Sequence, residues 1–171
     1  MQNITPFLWF DDNAEEAANY YVSLFKNSKV TNLTRYDGAG PGDDGGVMTV
    51  SFTLDGTDFV ALNGGRQCPD GTALDSRFDI AASSAVSFVV NCPTQAEVDR
   101  LWDELGKGGK PMQCGWITDK FGVTWQIVPE GFIDLIASDD QERSTRARMA
   151  MFEMEKLDIN ALRRAYEGVA V

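Results

Sequence analysis

The sequence predicts an α+β protein in which one unit, a strand leading into a helix and then into strands that close in a hairpin, occurs twice before a helical extension. Three observations carry this. The opening of the chain is repeated in physical terms 81 positions later. The segments after each of the two helices alternate apolar and polar residues with the two-residue period of a half-buried strand. Residues 141–167 space their apolar groups at helical intervals.

Residues 4–10, ITPFLWF, form the first strand, and Pro6 suits its start or a sheet edge because proline donates nothing to a ladder. Asn13 and Glu16 have the spacing of an N-cap and its third-position partner, opening a helix near 14–25 whose Ala17, Tyr20, Tyr21 and Leu24 share one face. VTNLTRY (30–36) then runs through the glycine-rich DGAGPGDDGG to VMTVSFTL and FVALN (59–63). That glycine-rich stretch lies between strands and opens no helix, so it reads as a hairpin loop rather than a phosphate cradle.

In VMTVSFTL, Met48, Val50, Phe52 and Leu54 are the core-facing set. A three-residue loop, Asp55-Gly56-Thr57, brings Val60 and Leu62 to that same face. It leaves Thr49, Ser51, Phe59, Ala61 and Asn63 to line the opposite one.

The second copy starts with AVSFVVN (85–91). Thr94 and Glu97 form its capping pair, and Val98, Leu101, Trp102 and Leu105 its helix face near 95–105, which Gly106 stops. MQCGWI (112–117) turns through DKFG into VTWQIV. Here Val123, Trp125 and Ile127 face the core, while Thr124 and Gln126 face the other way. The expected organisation is a first module over 1–63, a connecting loop over 64–84, a second module over 85–130 and a helical extension over 131–171, with Met149, Phe152, Leu157, Leu162 and Tyr166 spaced for burial.

Composition narrows the chemistry. Fifteen basic against twenty-six acidic residues give a net charge of −11, a field that repels nucleic acid and anionic membrane. The same charge serves solubility or attracts a cationic small molecule. Three cysteines without metal-type spacing, no secretory signal and no long apolar run point to a reduced, cytoplasmic protein. There is no histidine, which excludes Ser-His-Asp triads, Cys-His pairs and two-His-one-carboxylate iron sites. Cys68 lacks an imidazole to activate it. Asp/Glu acid-base pairs and all-carboxylate magnesium sites stay open.

The segments ITPFLWFDDNAEEAANYYVSLF, LDGTDFVALNGG, VSFVVNCPTQAEVDRLWDEL and QCGWITDKFGVTWQIVP, in that order, resemble the PhnB-like branch of the vicinal oxygen chelate superfamily, the glyoxalase/bleomycin-resistance group. Members of the branch are often labelled 3-demethylubiquinone 3-methyltransferase-like. The resemblance spans about residues 3–130, and the tail MEKLDINALRRAYEG is similar too. It implies paired βαβββ modules forming a cup-shaped mixed sheet, assembled as a homodimer.

It also implies where a metal belongs. The superfamily's metal enzymes place one ligand on the first and one on the last strand of each module. Keeping the distance to the helix caps, those positions fall on Pro6 and Ser87, and on Ala61 and Gln126. Proline and alanine cannot ligate through their side chains, serine is a poor ligand, and Gln126 offers an amide oxygen. No metal and no cofactor is expected, and Gln126 is left to bond either a ligand or a neighbouring strand residue.

The leading functional expectation is a small-molecule-binding protein lined by Thr49, Ser51, Phe59, Asn63, Ser87, Trp116, Thr124 and Gln126. An enzyme using Asp58 or Glu130, with magnesium or none, is the alternative. Methyl transfer ranks lower, since the first strand runs into Asp11-Asp12-Asn13 with none of the glycine turn of the common methyltransferase fold. The stretch after Asn63-Gly64-Gly65 serves as a lid carrying Arg66 or Phe78, or as a plain surface insertion.

Overall fold

The structure, a computed structural model, describes residues 4–38, 42–65 and 86–169. The chain divides into two compact units, Met1–Ile80 and Ala81–Val171.

The first unit runs β1 (Phe7–Phe10), α1 (Ala14–Leu24), β2 (Lys29–Arg35), β3 (Val47–Leu54) and β4 (Thr57–Asn63). Its sheet has the order β1-β4-β3-β2, with β1 parallel to β4 and the remaining pairs antiparallel. Helix α1 buries Ala14, Ala17, Ala18, Tyr21 and Leu24. Small residues on this stripe let the helix approach the sheet closely while Tyr21 fills the remaining space. Its ring stacks at 6.4 Å on Phe52, which in turn stacks at 5.5 Å on Phe59.

That last contact corrects the expected hairpin. Leu54 pairs with Thr57, so the turn holds two residues, Asp55 and Gly56, with φ of 45° and 80°. Successive left-handed residues are the signature of a turn whose twist matches that of its strands, and an Asp-Gly pair is suited to it. Removing one residue from the assumed loop flips the whole of β4. Phe59 and Ala61 therefore lie in the core, and Val60 and Leu62 lie on the opposite face with Thr49 and Ser51.

The second unit runs β5 (Phe88–Cys92), α2 (Gln95–Gly106), β6 (Lys110–Pro111), β7 (Trp116–Thr118) and β8 (Thr124–Pro129). Its order, β5-β8-β7-β6, repeats that of the first sheet. Val98, Leu101 and Leu105 of α2 are buried, as are Ile117, Val123, Trp125 and Ile127. Thr94 caps α2 by accepting from Glu97 N.

Three helices follow: α3 (Phe132–Ile136), not foreseen in the sequence, then α4 (Gln141–Phe152) and α5 (Ile159–Glu167). Val128, Phe132, Leu157 and Leu162 form a buried cluster among them. Met149 and Phe152, expected inside, are 66% and 57% exposed, because α4 turns Ser144 and Ala147 inward instead. Among the described residues no helix is long and apolar enough to cross a membrane.

The repeat carries a one-residue offset. Phe10 O accepts from Gly64 N, and in the same way Cys92 O accepts from Glu130 N. The strands thus correspond as Phe10 to Cys92 while the helices correspond as Ala14 to Gln95. Three residues separate β1 from α1 but only two separate β5 from α2. Counting from the caps consequently places the first module's strand positions one residue out.

Candidate functional site

On β8 the side chains alternate, with Trp125 and Ile127 in the core and Thr124 and Gln126 on the other face. Gln126 pairs across the sheet with Val89 on one side and Trp116 on the other. Its amide Nε2 donates to Ser87 Oγ at 2.8 Å, so the two uncharged groups are held together. A hydroxyl that accepts from the amide has its own proton to give elsewhere, and the amide oxygen faces no donor among the described residues. Val89, 53% exposed, and half-buried Trp116 flank this pair with apolar surface. Thr118 and Thr124, both buried, lie on the same face with hydroxyls 3.4 Å apart.

In the first unit the corresponding face carries Thr49, whose hydroxyl meets Thr34 Oγ1 at 2.6 Å, together with half-buried Ser51, Val60 and Leu62. Two expected members are elsewhere. Phe59 is stacked in the core. Asn63 points to the helix side, where its Oδ1 accepts from Ala14 N at 2.7 Å and its Nδ2 donates to Val47 O at 3.0 Å. Asn63, not Asn13, supplies the side-chain cap of α1; Asn13 makes no such bond. Thr34, Val60, Leu62 and Val89 were missed, and the Asp55-Gly56 pair was the signal that could have found Val60 and Leu62.

The one-residue offset also corrects the implied metal positions. Val60 pairs with Phe7 as Gln126 pairs with Val89, so the equivalent of Gln126 is Val60 rather than Ala61, which is fully buried in the core. By the same count Thr5 replaces Pro6 as the equivalent of Ser87. The four side chains are then two hydroxyls, one amide and one isopropyl group. Among the described residues no group of three or more cysteines and carboxylates is placed to hold a metal ion.

The other candidates are peripheral. Asp58 sits at the exposed end of the Ser51 face, opposite Thr53, and Glu130 is exposed just after β8. Cys92 is 1% exposed, and burial, aided by Glu97, pushes its thiol up to about 11. Burial also raises the Cys114 thiol. Neither is poised as a thiolate. Arg66, Cys68 and Phe78 lie outside the described residues.

Two mixed four-stranded sheets, each with its helix, make this an α+β protein, the fold class that the resemblance to the glyoxalase/bleomycin-resistance group implies. The model of the 3-demethylubiquinone-9 3-methyltransferase family matches residues 2–128, and the chain belongs to that family. Among solved structures, the PhnB protein of Bacillus cereus, which carries the same methyltransferase label, is 34% identical, with a TM-score of 0.62 over 75% of this chain and 99% of its own. A Pseudomonas aeruginosa protein at 20% identity has a TM-score of 0.59, covering 76% of this chain and 98% of its own. An Arabidopsis thaliana gene product at 18% identity has a TM-score of 0.51 over 75% and 98%. These last two share the fold alone. No curated protein matches the chain.

Proposed function

We propose that this chain binds a neutral, partly apolar small molecule on the face that carries Ser87, Trp116 and Gln126. One observation carries the reading: the amide of Gln126 donates to Ser87 Oγ, which leaves an acceptor oxygen and a hydroxyl donor side by side between Val89 and Trp116. Such a pair suits a carboxamide or a hydroxyl on a flat apolar body. A carboxylate ligand would lose hydration there in exchange for two uncharged partners, the amide and the hydroxyl. Divalent transition ions do not fit the implied metal positions of either unit, Thr5 with Val60 or Ser87 with Gln126, since neither pair brings an anionic ligand.

Thermal-shift screening of a metabolite library that includes naphthalene-1-carboxamide, naphthalene-1-carboxylate and S-adenosylmethionine tests this, since a ligand of the native state raises its melting temperature. Stabilisation by the carboxamide, absent with the carboxylate and lost in Gln126→Leu, supports the proposal. Stabilisation by the carboxylate alone, or indifference to Gln126→Leu, overturns it.

The family's name brings methyl transfer forward as the second reading, and a shift with S-adenosylmethionine alone would favour it. We also propose a soluble, cytoplasmic homodimer, consistent with Ile133, Met149 and Phe152 being exposed apolar residues of the second unit. Sedimentation equilibrium at micromolar concentration should give twice the mass of the 18.8 kDa chain.

A further inference from the structure

Trp116 follows a turn that is held in part from outside its own short hairpin. Strand β6 has two residues and β7 three, and their ladder consists of Lys110 with Thr118 and Pro111 with Ile117. Between them Cys114 and Gly115 both take left-handed backbone, with φ of 61° and 81°. A side-chain-bearing residue enters that region only when its surroundings hold it there. The holding groups come from the segment between α4 and α5: Cys114 N donates to Met154 O and Gly115 N to Glu155 O, each at 2.7 Å. Leu157, fully buried, backs the turn so closely that a Cβ on Gly115 would lie 2.9 Å from its Cδ1.

That segment is itself anchored to the start of α2. Gln95 donates to Leu157 O at 2.9 Å and accepts from Ile159 N at 3.0 Å, and Lys156 pairs with Asp99 at 2.9 Å. Within the hairpin Met112 N donates to Trp116 O at 2.8 Å and Trp116 N to Gln113 O at 3.2 Å, and a further bond, from Ile127 N to Gly115 O at 2.8 Å, ties the turn directly to the strand that bears Gln126.

We infer that Met154–Leu157, which lies beyond the residues matched by the family model, is a positioning element for the binding face. It locks Cys114–Gly115 and thereby sets which face Trp116 occupies and how it stands beside Gln126. A one-residue slip of this turn would send Trp116 to the core side. The inference rests on the reading of Trp116 and Gln126 as walls of the binding face, but its structural half is testable without any ligand.

The test uses the full chain, ¹⁵N-labelled, with the Trp116 indole resonance assigned through Trp116→Phe. Leu157→Ala removes the backing of the turn, and Gln95→Leu removes two bonds that anchor the segment; the second decides the matter if the first does not fold. Asp140→Ala, which loses the α4 cap, controls for general destabilisation. In both test variants, and not in the control, the Trp116 resonance should shift or broaden while that of Trp125 stays in place. Affinity for naphthalene-1-carboxamide should fall about tenfold, as expected when a preorganised wall is lost. Adding Cys114→Gly to Leu157→Ala should recover much of that loss, because glycine takes left-handed backbone freely. An unmoved Trp116 resonance, with only the melting temperature lowered, would overturn the inference. If the carboxamide fails to bind the wild-type chain, the binding proposal falls and the resonances alone decide this one.

Discussion

The indole Nε1 of Trp125 donates to the buried carboxylate of Asp119 at 2.8 Å, joining the turn between β7 and β8 to the start of the strand it launches. The other oxygen of Asp119 accepts from Phe121 N at 2.9 Å and Val123 N at 3.0 Å. Asp119 is 4% exposed, so three donors converge on a carboxylate that water scarcely reaches, and each bond gains strength from the charge. The aspartate of the DKFG segment is thus the organiser of its hairpin.

Asp119→Ala should cost about 3–5 kcal/mol, since it strands buried donors that have no replacement. Asp119→Asn keeps an acceptor for the turn but turns an N–H toward Trp125, and should cost about half as much. Urea unfolding followed by Trp fluorescence measures both. A negligible loss for Asp119→Asn beside a large one for Asp119→Ala would show that Trp125 takes no part.

Asn63 and Asn13 make a paired test of how α1 is capped. Because Asn63 accepts from Ala14 N and donates to Val47 O, Asn63→Ala should destabilise by about 2 kcal/mol. Asn13→Ala, which breaks no side-chain cap, should stay within about 0.5 kcal/mol of wild type. The reverse order in chemical denaturation would return the cap to Asn13.

Much of this architecture was legible because strand and helix periods differ so plainly. Val123, Trp125 and Ile127 alternate with Thr124 and Gln126, and no other local structure suits that pattern. What sequence reading missed hung on single-residue counts. Assigning three residues to the Asp55 turn turned Phe59 outward and Val60 inward, although Asp55-Gly56 alone specifies two. Anchoring the repeat on its helix caps hid the extra residue before α1, and so pointed to Ala61 where the register has Val60. Asn63 could not have been recognised as a cap, because its partner Ala14 is 49 positions away and only the parallel pairing of β1 with β4 brings them together. Met149 and Phe152 fit a helical stripe, yet α4 rests on Ser144 and Ala147, a choice made by packing that periodicity does not reveal.

Cys92 predicts a pH dependence. Its folded thiol is pushed up to about 11 from an ordinary 9.0, chiefly by burial. The folded state therefore keeps its proton where the unfolded state loses it. The stability so contributed is intact below pH 9 and is lost as the pH rises toward 11. The loss should be on the order of 2 kcal/mol. Cys92→Ala should flatten the fall in urea midpoint between pH 9 and 11, beyond whatever its smaller side chain costs at neutral pH. An unchanged slope would assign the alkaline loss to other groups.

The last prediction concerns metal, and it follows from donors rather than from occupancy. A divalent transition ion entering a protein gives up strongly held water and needs anionic or imidazole ligands to offset that. The chain has no histidine, Ser87 already accepts from Gln126, and Val60, the equivalent of Gln126 in the first unit's register, has no donor atom in its side chain. Purified protein should therefore hold less than about a tenth of an equivalent of nickel, zinc, iron or manganese, and a chelator should leave its melting temperature unchanged. Gln126→Glu should not create tight binding, because one carboxylate beside the Ser87 hydroxyl leaves most of the coordination to water. One metal per subunit by elemental analysis, lost with stability on chelation and weakened by Gln126→Ala, would overturn the neutral-ligand proposal and put metal-assisted catalysis in its place.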